Sequence, residues 1–102
     1  MPELPEVETM RRCVAPAVGC RIRRIIRPRS ALQSIAIRPT WPSLRVGVRG
    51  QTICAIRRLG KRIVLDLENG FSVVLEPRMT GLVLLADPPN HSHLRLIFEL
   101  ER

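Results

Sequence analysis

The sequence holds no apolar run approaching the roughly 18 to 20 residues needed to cross a bilayer, and its acidic start lacks the basic flank and apolar stretch of a secretory signal. Together these absences point to a cytoplasmic protein. Cysteine is scarce: Cys13, Cys20 and Cys54 are odd in number and have no Cys-x-x-Cys spacing, so they read as reduced, partly buried thiols and not as disulfides or zinc ligands. Aromatics number only three, which leaves few platforms for stacking bases. Lysine is rarer still, since sixteen of the seventeen basic residues are arginine and Lys61 stands alone. No internal repeat or low-complexity stretch is present, and 102 residues at 45% hydrophobic content suffice for one domain with little spare burial.

Positive charge is abundant. A net charge of +8 and a pI near 11.4 favour a polyanionic partner, because each phosphate neutralised releases counterions. The same excess is also compatible with an ordinary solvated, arginine-rich surface.

Hydrophobic spacing divides the chain. Val7, Met10, Val14 and Val18 follow a helical period, with Pro16 expected to end or kink the last turn and Gly19 to stop it. Arg21 to Arg27 is β-branched and basic, a strand without clean alternation. Between Pro28 and Gly50 the prolines Pro28, Pro39 and Pro42 predict irregular structure with one short helix, where Trp41 reads as a packing residue before a base-stacking one. Strands follow: Gln51 to Arg57, then a hairpin across Asn69-Gly70. There Ile63, Leu65 and Leu67 alternate with polar residues on one arm, and Phe71, Val73 and Leu75 do so on the other. Leu82 to Leu85 is a further candidate, as is the run in which Leu94, Leu96, Phe98 and Leu100 alternate. The expected architecture is mainly β in an α+β arrangement, a β-sandwich or flattened barrel with the amino-terminal helix laid against it.

The richest chemistry lies in the first nine residues, Met-Pro-Glu-Leu-Pro-Glu-Val-Glu-Thr. Removal of Met1 turns Pro2 into a secondary amine beside the carboxylates of Glu3 and Glu6. An α-amino group with a pKa of roughly 8 is about a tenth neutral at pH 7, and attack by a secondary amine gives a cationic iminium, an electron sink. Glu3 is then most useful as a proton donor. Pro5 suits the first turn of a helix, and Glu6 and Glu8 suit its positive end. On residue chemistry alone, an acidic, proline-punctuated helix start is the better explanation of the segment.

Met1 to Arg12 resembles the amino-terminal signature of the formamidopyrimidine-DNA glycosylase and endonuclease VIII family. The resemblance implies that Pro2 attacks the sugar C1′ of a damaged nucleotide, that Glu3 is the acid and proton shuttle, and that Glu6 is a supporting carboxylate. Arg57-Arg58-Leu59-Gly60-Lys61 is similar to a family segment whose lysine contacts phosphate beside the lesion; a solvated turn lysine is the bland alternative. Met79-Thr80-Gly81 resembles the loop whose methionine enters the gap left by an everted nucleotide. Glu76-Pro77-Arg78 departs from the His-Leu-Gly of many members, setting a carboxylate near DNA with Arg78 as the candidate to offset it. His91-Ser92-His93 resembles a pair whose first histidine touches the DNA backbone.

The implied partner is double-stranded damaged DNA, and the implied activity is that of a bifunctional glycosylase and abasic-site lyase in base-excision repair. No cofactor is expected in this chain, because the family's zinc site belongs to a carboxy-terminal region outside it. The helix-two-turn-helix domain likewise lies outside, so residues 1–102 are read as a catalytic-type domain whose isolated activity, lesion preference and oligomeric state the sequence leaves open. A non-catalytic basic DNA-binding module, or a structural fragment, are the competing readings; retention of Met1 would favour the first, since the Pro2 nitrogen would then be an amide.

Overall fold

Helix α1 (Leu4–Val14) forms where the apolar spacing predicts, and Val7, Met10 and Val14 are the residues it buries. The structure is a computed structural model and describes residues 4–28, 36–77, 85 and 95–102. Pro5 occupies the first turn, Glu6 lies at the positive end of the helix, and Arg11 and Arg12 lie at the negative end. Approaching Pro16 the chain tightens into a single 3-10 turn over Ala15–Ala17, then reverses at Gly19 with φ of +91°. The buried stripe was expected to reach Val18, but that residue is 39% exposed. Its backbone has already left the helix for an extended conformation, which takes its side chain off the buried face.

Strand β1 (Arg21–Ile26) pairs antiparallel with β5 (Ile97–Glu101). A register shift between Ile22 and Arg24 leaves Arg23 and Arg24 both exposed while Ile22 and Ile25 are buried, which is why this stretch alternates poorly in sequence. A second antiparallel sheet contains β2 (Ile53–Leu59), β3 (Arg62–Leu67) and β4 (Ser72–Leu75), with β3 central. Ile63, Leu65 and Leu67 are buried as their alternation predicts; Val64, pointing to the opposite face, is buried as well. The hairpin turns at Asn69-Gly70, where Gly70 adopts φ of +89° and its N–H donates to the Leu67 carbonyl at 3.0 Å.

Phe71 does not join the core as its alternation predicts. It is 53% exposed, with its ring lying against Gly47 of helix α2 (Trp41–Val48). This is the one short helix expected between Pro28 and Gly50. The Thr40 hydroxyl accepts from the Ser43 N–H at 3.2 Å to cap it, Pro42 sits in its first turn, and Val48 is its buried anchor. Trp41 packs against the core in part, consistent with a packing role, and the Arg27 guanidinium stands 5.0 Å above its ring.

The two sheets meet at a corner made of main chain. Arg21 bridges Thr52, the Ile22 N–H donates to the Gln51 carbonyl at 2.8 Å, and the Gly50 N–H donates to the Ile22 carbonyl at 2.7 Å. Ile22, Ile53, Ile63, Val7 and Val48 fill the space between the sheets and helices, each 2% exposed or less. Among the described residues the sheets do not close on one another, so the sandwich alternative describes them and the flattened barrel does not. Apart from Leu85, the candidate strand Leu82 to Leu85 lies outside the described residues, as does Leu94. Cys20 is buried, whereas Cys13 and Cys54 are exposed and not partly buried as expected; all three are free thiols.

Candidate functional site

The chemistry expected of the amino terminus depends on how α1 is held. Glu8, in its second turn, accepts hydrogen bonds from Arg11 Nη2 at 2.7 Å and Arg11 Nε at 2.9 Å, from Arg12 Nε at 2.9 Å, and from Arg58 Nε of β2 at 3.3 Å. These hydrogen bonds, from Arg11 first and then Arg12, hold its carboxyl down at about 2, well under the ordinary glutamate value. The same Arg58 donates through Nη1 to the Gly60 carbonyl at 3.0 Å. One guanidinium therefore ties the second turn of α1 to the turn between β2 and β3, where Gly60 adopts φ of +61° and Lys61 follows it.

Lys61 lies in that turn with its side chain half-buried. Among the described residues no carboxylate pairs with it. A flexible ammonium left in this way suits a phosphate oxygen. Glu6 is exposed in the first turn of α1, and Glu8, two residues further on, lies roughly 200° around the helix, so the two carboxylates lie on different sides of it. The structure thus connects the helix that follows Pro2 with the turn that carries Lys61. Pro2, Glu3, Arg78, Met79 and His91 lie outside the described residues.

Glu76 was read from sequence as a carboxylate that would repel phosphate. In the structure Arg62 Nε stands 3.5 Å from its Oε1, across the continuation of the β3–β4 register, so its charge already has a cationic neighbour. Asp66 is similarly engaged, by Arg57 Nε at 2.7 Å and the Ser72 hydroxyl at 2.8 Å, which lower its pKa from the ordinary value. Both are surface pairs and belong to the sheet. The central part played by Glu8 went unread in the sequence. Its spacing of three and four residues to Arg11 and Arg12 was a legible signal; the contact with Arg58, fifty residues away, was not. Among the described residues no three His, Cys, Asp or Glu side chains gather as a metal site.

The profile of the formamidopyrimidine-DNA glycosylase N-terminal domain matches residues 1–102. The chain belongs to this family. Among curated formamidopyrimidine-DNA glycosylases, that of Thermomicrobium roseum is 37% identical over 95% of this chain and 35% of its own length. That of Solibacter usitatus is 39% identical over 97% of this chain and 37% of its own length. The chain therefore spans little more than a third of these relatives.

Solved glycosylases of the family share the fold. The Lactococcus lactis enzyme, non-covalently bound to DNA containing an AP site, superposes with a TM-score of 0.81 at 30% identity, over 97% of this chain and 38% of that one. The Thermus thermophilus MutM protein gives 0.75 at 33% identity, over 98% of this chain and 34% of that one. The match confirms an amino-terminal helix laid on antiparallel sheets as the architecture of the formamidopyrimidine-DNA glycosylase amino-terminal domain.

Proposed function

We propose that this chain carries the nucleophile of a bifunctional DNA glycosylase and abasic-site lyase acting on damaged double-stranded DNA in base-excision repair. One observation supports the reading: the family match begins at residue 1, the end of the chain that carries the Pro2-Glu3 pair. Once Met1 is removed, the Pro2 amine attacks C1′ and the damaged base leaves with a proton, giving an iminium between Pro2 and the opened sugar. The iminium acidifies the C2′ proton; its removal expels the 3′ phosphate, and hydrolysis of the Schiff base frees the enzyme. Glu3 moves the proton, Glu6 is the further carboxylate, and Lys61 holds a phosphate beside the lesion.

Met79 is assigned the wedge in the opened duplex, with Arg78 and His91 on the backbone nearby. Residues 1–102 are one catalytic-type domain in this reading, and a second DNA-gripping part completes the clamp. Such an activity works in the bacterial cytoplasm, beside the nucleoid.

Strand cleavage of an abasic-site duplex tests the proposal when two protein preparations are compared, one with Met1 removed and one with Met1 retained, each verified by intact mass. Only the Met1-free form should cut. Equal cleavage by the Met1-retaining form would remove Pro2 as the nucleophile.

A further inference from the structure

The second concentration of positive charge lies away from Lys61. Along β1 and the facing side of α2 runs an open trough of about 980 Å3, and among the described residues six arginines, Arg21, Arg23, Arg24, Arg27, Arg45 and Arg49, line it with one carboxylate, that of Glu101. Arg21 is paired with Glu101 and Arg24 with Glu99, each at 3.0 Å. Arg23, Arg45 and Arg49 have no ion pair among the described residues, though Arg23 is close enough to Glu99 to help lower its pKa, and the Arg27 guanidinium lies over the Trp41 ring, 5.0 Å from its centroid.

Like charges gathered this closely repel one another, and among the described residues Glu99 and Glu101 are the acids beside the six arginines. The register shift that turns both Arg23 and Arg24 outward is what builds this density on one strand. Among the described residues the one aromatic in the wall is Trp41, and the Arg27 guanidinium stands over its ring. A base stacking there would compete with that guanidinium, while the guanidinium forks of Arg23, Arg45 and Arg49 suit phosphate.

We propose that the β1–α2 trough is a second nucleic-acid site, one that grips the phosphodiester backbone of undamaged duplex DNA without reading its sequence. From the Arg21–Thr52 bridge to the Gly60–Lys61 turn, β2 runs for about 25 Å at strand rise, so the trough and Lys61 hold separate phosphates. The site depends on no step at Pro2, and its failure leaves the glycosylase reading untouched.

The test measures binding of the full chain to undamaged duplex by fluorescence anisotropy between about 50 and 200 mM salt. The variant R23Q/R45Q/R49Q should lower the slope of log K against log salt by about 2 to 3, since each lost phosphate contact removes about 0.9. The lysine variant R23K/R45K/R49K should keep most of the slope. A control of equal charge outside both the trough and the Glu8–Arg58–Lys61 cluster, R38Q/R95Q/R102Q, should lower it by less than about 1. If the glutamine triple variant fails to fold, single R23Q and R45Q variants should each remove about 0.9. An unchanged slope in the trough variants, or an equal fall in the control, would overturn the site. So would displacement of the duplex by millimolar inorganic phosphate, which would mark a simple anion pocket.

Discussion

Replacing Val7 by alanine tests whether the buried face of α1 anchors the reactive end of the chain. Val7 is 0% exposed and belongs to the core cluster with Ile22, Ile53 and Ile63. The substitution deletes two methylene equivalents, about 1.6 kcal/mol of transfer free energy, and the cavity left among β-branched neighbours adds about another 1 kcal/mol. Alanine is the better helix former and returns about 0.5 kcal/mol. The net loss is about 2 kcal/mol, which for a domain of this size lowers Tm by roughly 8 to 15 °C. Urea unfolding followed by circular dichroism should show the midpoint fall with little change in slope. Val46 supplies the control, because it is 75% exposed on α2 and its alanine variant should stay within about 0.5 kcal/mol of the parent. Were V7A as stable as V46A, the helix would not be anchored through this face.

Three further outcomes follow from particular contacts. Glu8 has its folded pKa depressed to about 2 from 4.5, so the stability it contributes is complete above about 4.5 and is lost as pH falls toward about 2. Urea midpoints across that window should decline less in E8Q than in the parent, and equal declines would show that Glu8 is not the group that titrates. A Cβ on Gly47 would collide with the Phe71 ring, so G47A should destabilise the parent; in an F71A background the same change should stabilise by up to about 1 kcal/mol through helix propensity. Additive effects in that double-mutant cycle would refute the contact. Lys61→Ala should weaken duplex binding similarly for all sequences and reduce the salt slope by about 0.9, whereas an unchanged slope would leave Lys61 without a phosphate.

What the sequence made legible was local. The hairpin at Asn69-Gly70 and the stripe of Val7, Met10 and Val14 follow from turn chemistry and helical period, which act over a few residues. The capped helix at Trp41 was only half visible, since Thr40 and Pro42 mark a helix start but the prolines around them argue for irregular structure. Val18 and Phe71 were misplaced because apolar spacing cannot see where a 3-10 turn takes the chain off a face, or that Gly47 makes room for an aromatic ring on the surface. The turn that holds Lys61 was legible in the sequence, whereas its phosphate role rests on the family resemblance, and the structure added Arg58, which joins that turn to Glu8. No spacing rule reaches across fifty residues. Glu76 needed the strand register to bring Arg62 beside it.

Borohydride trapping addresses the central claim most directly. The Met1-free protein is mixed with an abasic-site duplex, reduced, digested and mapped by mass spectrometry. The account predicts one sugar adduct, on the peptide beginning at Pro2, and none when Met1 is retained. An adduct on Lys61, or undiminished trapping by the Met1-retaining protein, would contradict it.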